Sequence, residues 1–183
     1  MKRIFLIVLA GLAWIPAARA DEPAASSLLM YISPADYRYE TRLGLVPYYI
    51  VWVRQGPMLE QAARKAFQPH FSQVEMCEGN NGADVVVWLK PEMYYHPMLE
   101  VYRTRVSARF YRADGKLIGR HEATGEYHGS RGSRLSDAQV QHALDSALQQ
   151  IARQYADDSA LRQAISQDVT KSPCAMVALI PGE

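Results

Sequence analysis

Little in this chain of 183 residues advertises a ready-made chemistry. Neither charge is in excess: 20 lysines and arginines stand against 19 acidic residues, so there is no electrostatic footprint for nucleic acid. No apolar run reaches the ~20 residues that a membrane-spanning helix needs, and no internal repeat or low-complexity tract is present. The five histidines are scattered. His70 and His142 fall on or beside different predicted helices, and His96 precedes Pro97. His121 and His128 stand seven apart on one predicted strand, hence on opposite faces. No pair has a zinc-ligand spacing, so neither a metal nor a cofactor is expected. "HGSRGSRLS" (128–136) lacks the Walker pattern with its lysine, and its "GSRG" lacks the glycine spacing of a nucleophile elbow. It reads as a strand-to-helix connection rather than a phosphate cradle.

Cysteine is scarce as well, and the two present, Cys77 and Cys174, are informative because of where the chain is directed. The opening "MKRIFLIVLAGLAWIPAARADEP" has two basic residues, an apolar run and the small-residue frame Ala18-Arg19-Ala20, the layout of a cleavable signal peptide over residues 1–20. Export to the periplasm is therefore expected, with secretion as the alternative. Cleavage before Asp21 would remove Lys2, Arg3 and Arg19, leaving 17 basic against 19 acidic residues, a net charge of minus 2. In an oxidising compartment Cys77 and Cys174 are expected to form a disulfide, with two buried free thiols as the alternative.

Periodicity organises the rest. Residues 21–44, tyrosine-rich and broken by Pro34, read as an irregular N-terminal segment, a loop that could hold short strands. "LVPYYIVWVR" (45–54) has β-branched and aromatic residues on both parities, the pattern of an interior strand. "QGPMLEQAARKAFQP" follows as a short amphipathic helix between Gly56-Pro57 and Pro69. "SQVEMCE" is a short strand, "GNNG" a turn and "ADVVVWLK" a second interior strand, with "PEMYYHP" interrupting the sheet. Ser136 and Gln139 form a capping-box signature ahead of the longest helix, whose stripe runs from Val140 to Tyr155. Residues 45–168 are thus read as a single α+β domain: a mixed or antiparallel sheet of about four to five strands, with two main helices packed on one face. Residues 169–183 form a tail, a candidate edge strand tethered by Cys174.

Between them lies "VYRTRVSARFYRADGKLIGRHEATGEYHG" (101–129), a long hairpin with Asp114 and Gly115 in a two-residue turn. With that turn every cross-strand pair sums to 229. Tyr102, Thr104, Val106, Ala108 and Phe110 then share an inner face with Tyr127, Gly125, Ala123, His121 and Gly119. The other face carries Arg103, Arg105 and Arg109, with Glu126 opposite Arg103 and Glu122 diagonal to the other two. This row is either a solvated ion-pair face, which favours register more than stability, or a docking surface for an anionic ligand or partner. Tyrosines occur in close pairs, among them Tyr48 with Tyr49 and Tyr94 with Tyr95, and supply candidate binding area.

The order strand, helix, short strand, strand, long hairpin, helix resembles small periplasmic α+β modules of bacterial envelope machinery. It is carried by "GPMLEQAARKAF", "ADVVVWLK", "RVSARFYRADGKLIG" and "AQVQHALDSALQQIARQY", roughly residues 45–155. The modules meant are YajG-like and LptE-like proteins and the amino-terminal domain of TolB. Many of these are lipoproteins, whereas no cysteine stands at the cleavage site here, and no functional residue carries over. The expected function is that of a non-enzymatic periplasmic adaptor or assembly factor with a protein partner in the cell envelope. A small-ligand-binding protein or enzyme inhibitor is the alternative, and a hydrolase with an unrecognised site the third.

Overall fold

A computed structural model describes residues 26–43, 50–79, 81–96, 98–129, 136–165 and 172–174. The expected signal peptide, Tyr48 and Tyr49, and most of the 128–136 connection lie outside the described residues.

The elements are β1 (Ser27–Tyr31), α1 (Pro34–Arg38), β2 (Glu40–Leu43), β3 (Val51–Arg54), α2 (Gln55–Phe67), β4 (Gln73–Met76) and β5 (Gly82–Ala83). They continue with β6 (Val85–His96), β7 (Val101–Arg112), β8 (Leu117–His128), α3 (Asp137–Asp157), α4 (Ser159–Ile165) and β9 (Ser172–Pro173). Five strands form a mixed sheet in the order β4-β1-β6-β7-β8. β1 runs parallel to both neighbours, and β6, β7 and β8 are antiparallel. The α+β class, the strand number and the one-sided helices agree with the sequence. Leu59, Ala63 and Phe67 of α2, and Val140, Leu144, Leu148 and Ile151 of α3, join Val85, Val87 and Leu89 of β6 and Val106, Ala108 and Phe110 of β7 in one core. Each large apolar side chain buried there contributes about 1.5–3 kcal/mol.

Three expectations about the strands require correction. Residues 21–44 are not irregular throughout, because "SLLMY" is β1, an inner strand of the sheet. It is buried on both faces, so its apolar residues do not alternate; Leu28 and Met30 face the main core and Leu29 a smaller cluster with Ala83, Val86 and Cys174. Its start is pinned by Ser27, whose N–H and hydroxyl both donate to Asp84 Oδ2 at 2.7 Å. Second, the described part of the 45–54 stretch is no interior strand of the main sheet. Only Val51–Arg54 is extended among its described residues, paired with β2 as a separate ribbon, and Trp52 is 60% exposed. Third, "PEMYYH" does not interrupt the sheet. β6 continues through Pro91 to His96, and this is physically permitted because β1 pairs with β6 only as far as Trp88. Beyond that point the missing N–H of Pro91 can face a free edge.

The hairpin register is as expected from Val101↔His128 to Phe110↔Gly119, then shifts by one at a bulge to Tyr111↔Leu117. The turn explains the shift. The Gly115 N–H donates to the Arg112 carbonyl, so Ala113 and Asp114 are its centres, and Gly115 follows with φ of 82°. Asp114 is not at positive φ, so the expected two-residue type gives way to a turn followed by a left-handed glycine. Asp114 is gripped by Arg112 and accepts the Lys116 N–H at 3.0 Å. The Arg112 hydrogen bond, backed by that amide, lowers the Asp114 carboxyl to about 2. Its contribution to the turn is therefore present above the unfolded carboxylate value of about 3.9 and is lost as pH falls through the folded value. Carboxyl NMR of Asp114 should show its midpoint well below that of a free aspartate; an ordinary midpoint would mean that the pair does not form in solution.

Cys77 and Cys174 are bonded, with Cα atoms 5.4 Å apart. β9 pairs with β5 in a two-residue ribbon, and residues 175–183, the apolar part of the tail expected as an edge strand, lie outside the described residues.

Candidate functional site

Because α2 and α3 pack on one side, strand alternation sends a second set of side chains to a face that neither helix covers. The register arranges them in four rows across β6, β7 and β8: Trp88, Arg109 and Arg120; Lys90, Ser107 and Glu122; Glu92, Arg105 and Thr124; Tyr94, Arg103 and Glu126. The predicted arginines Arg103, Arg105 and Arg109 thus share one face, as the hairpin pattern requires. The inner neighbour β6 adds residues that the hairpin could not reveal.

Those additions decide how the charges are satisfied. Arg103 is ion-paired with Glu126, donates to the Tyr94 hydroxyl at 3.3 Å and lies 5.7 Å from the Tyr94 ring centroid. Arg105 reaches Glu92 at 3.6 Å and Glu122 at 3.3 Å. The Ser107 hydroxyl donates to Glu122 at 3.3 Å. Arg109 differs, with its guanidinium 5.2 Å from the Trp88 ring centroid and Arg120 directly opposite on β8. Glu126 also lies 3.7 Å from His128. The Arg103 and Arg105 end is a self-neutralised lattice.

Both edges of the main sheet are occupied by helix side chains. The Gly129 N–H bonds the Glu100 carbonyl, so the odd residues of β8 bond β7 and the even ones point outward. Two outward carbonyls, of Thr124 and Glu122, accept from Gln150 and Gln154 of α3 at 3.1 and 3.2 Å. At the opposite edge, Arg64 of α2 donates to the Val74 carbonyl of β4 at 2.6 Å. Side chains laid over outward carbonyls hinder the addition of a foreign strand.

Among the described residues, the tyrosines do not line a common cleft. Tyr94 lies on the open face, whereas Tyr95 packs inward against Tyr102 with ring centroids 5.8 Å apart. Tyr37 donates to Glu60 at 2.9 Å, and the exposed Tyr39 borders a cleft of about 320 Å³ with Gln55 and Glu92. The histidines are equally dispersed. His121 packs on Phe110 on the helix side, with Nε2 3.5 Å from Asp158, while His142 packs on Tyr127 and His70 on Tyr155. Among the described residues no three His, Cys, Asp or Glu side chains gather to hold a metal, and no helix is long and apolar enough to cross a membrane.

No family model matches this chain, and no curated protein is similar to it. Solved structures are. A Xanthomonas campestris protein of DUF330 is similar over 81% of this chain and 93% of its own, at 16% identity and a TM-score of 0.53. The PelC dodecamer of Paraburkholderia phytofirmans matches over 76% and 88%, at 15% identity and a TM-score of 0.45. A minor lipoprotein from Acinetobacter baumannii matches over 80% and 97%, at 14% identity and a TM-score of 0.39. None of this singles out the YajG-like, LptE-like or TolB resemblance. At these identities, the first of the three structures supports the fold alone: the chain has the architecture of a small α+β module.

Proposed function

We propose that this chain is a non-enzymatic periplasmic adaptor or assembly factor that holds a protein partner of the bacterial cell envelope on the open face of its sheet. One observation carries the reading: helix side chains lie over the β4 and β8 edges and the helices cover one face, which leaves the row-ordered face of β6, β7 and β8 without a helix over it. Strand addition, the other common mode for a sheet protein, meets side chains of Arg64, Gln150 and Gln154. The open face combines arginines and aromatic rings, the residue types enriched where proteins meet. The signal-peptide pattern supports export to the compartment where such a partner resides.

The test is site-directed photocrosslinking in cells of the source organism. A photoreactive residue at Ser107 and, separately, at Thr124 should each yield an adduct with the same identified envelope protein, whereas one at Gln149, exposed on α3, should not. Equal adducts from Gln149, or no adduct from either face position, would sink the reading.

A further inference from the structure

Apolar surface left in water collects at one point of the described chain. Met98 is 86% exposed and Leu99 66%, above every other large hydrophobic residue described, and the two are neighbours in the turn that joins β6 to β7. Exposed apolar surface gathered in one place marks a contact with a protein or a membrane.

The turn is built to hold these side chains out. The Leu99 N–H donates to His96 Nδ1 at 3.3 Å, and the Glu100 carbonyl accepts the Gly129 N–H at 2.9 Å, so the turn is tied to the end of β6 on one side and to the residue after β8 on the other. Glu100 has a φ of 52°, alone in positive φ among the described residues other than glycine. That is the left-handed region, which a residue with a Cβ enters at a cost. Strain of this kind persists where the surrounding structure enforces it, and it clusters at working sites.

Two features decide what the tip meets. A stable protein interface takes about 800 Å² from each partner, far more than two side chains at the point of a hairpin supply. Hydrocarbon needs no matching surface. Behind the tip comes a layer suited to lipid headgroups. Tyr94, partly exposed, stands two strand residues before the turn, about 7 Å along β6, and its hydroxyl accepts a hydrogen bond from Arg103. An apolar edge sinks roughly 5–10 Å into the boundary between headgroups and acyl chains. That depth sets the Tyr94 ring at the level that amphipathic aromatic rings favour. Arg103 is ion-paired with Glu126, and Glu100 adds an acid at the base of the tip, so the contact is apolar rather than an attraction to anionic lipid.

We infer that the β6–β7 turn dips Met98 and Leu99 into the surface of a phospholipid bilayer, with Tyr94 and Arg103 at the headgroups. The inference goes beyond the docking reading. It concerns the end of the sheet, leaves the rows of the open face to the partner, and stands that face upright beside the membrane.

The test is flotation of the exported chain with phosphatidylcholine vesicles, and with the same vesicles carrying phosphatidylglycerol. The chain should float with both to a similar extent, and added salt should change little, because salt screens charges and not apolar contact. Met98→Ser combined with Leu99→Ser should lower the partition coefficient about tenfold or more. Lys116→Gln, exposed in the turn at the opposite end of the sheet, should leave it unchanged. Thermal unfolding of the variants confirms that folding is intact. Methyl NMR of the methionine-labelled chain, in bicelles that carry a nitroxide on an acyl chain, should broaden the Met98 signal and leave the buried Met30 sharp. No flotation, flotation that needs phosphatidylglycerol and disappears in salt, or equal flotation of the double serine variant would overturn the inference. If that variant keeps its vesicle binding but loses the Ser107 and Thr124 crosslinks, or drops in mass by light scattering, the tip serves a protein partner or a second copy of this chain, and the membrane inference falls while the docking reading stands on its own crosslinks.

Discussion

Replacing Cys77 and Cys174 with serine is expected to lower the free energy of unfolding by about 2–5 kcal/mol. The bond links residues 97 apart in sequence, running from just past β4 to the last described element. In the chain-entropy account, a loop of roughly 100 residues held closed in the unfolded state is worth about 4.7 kcal/mol. Among the described residues, little else holds the tail end in place. β5 and β9 share two residue pairs, and the Cys174 N–H adds a hydrogen bond to the Asn81 carbonyl at 3.1 Å. When the bond is lost, Leu29, Ala83 and Val86 lose the sulfur-bearing residue that packs with them. The main core on the helix side is a separate cluster, so the variant should still unfold cooperatively. Urea denaturation with and without a reductant checks this: reductant should shift the wild-type midpoint down and leave the double serine variant unmoved. A loss below about 1 kcal/mol would mean that the unfolded chain is already constrained without the bond.

Where the sequence could be read correctly, two local rules agreed; where it misled, the deciding contact was distant. Ten hairpin pairs from Val101↔His128 to Phe110↔Gly119 follow from alternation and a turn signal, and the error is confined to the tip, where Gly115 takes the left-handed position alone. β1 was hidden because "SLLMY" is covered on both sides, and continuous apolar runs carry no period. Pro91 suggested a break, and only the length of β1 shows why it is tolerated. The candidate site divides in the same manner. Arg103 with Glu126 and Arg105 with Glu122 are cross-strand or diagonal pairs within one hairpin, so they were readable. Glu92 and Tyr94, which complete those pairs, and Trp88 and Lys90, which line a cleft with Arg109, come from β6, whose adjacency to β7 no local pattern gives. Arg120 already stands opposite Arg109 in the hairpin register. The usable signal was the alternation of Trp88, Lys90, Glu92 and Tyr94 in "WLKPEMY", obscured by the proline between them.

Gly125→Ala should be strongly disruptive for the addition of a single methyl group. An ideal Cβ at Gly125 would lie 1.9 Å from the Ala143 carbonyl oxygen and 2.9 Å from the Ala147 nitrogen, both backbone atoms of α3. A helix backbone cannot rotate out of the way as a side chain can, so α3 must move off β8. Overpacking of this kind costs about 1–3 kcal/mol where neighbours relax, and more where they cannot, so a loss of at least ~3 kcal/mol is expected here. Gly119 supplies the control. Its Cβ would meet only Leu161 side-chain atoms, the nearest at 3.0 Å, and Gly119→Ala should cost under about 1.5 kcal/mol. Chemical denaturation of the two variants side by side tests the contrast, and similar losses would mean that α3 is not seated as closely as this. The consequence extends to the sheet edge. Gln150 and Gln154 reach the Thr124 and Glu122 carbonyls only while α3 stays seated on β8. Lifting the helix bares those carbonyls, so any folded fraction of Gly125→Ala should self-associate through β8, visible as a mass increase in light scattering that Gly119→Ala does not show. A Gly125→Ala protein that is destabilised yet remains monomeric would separate the two roles, with α3 anchoring the core but not guarding the edge.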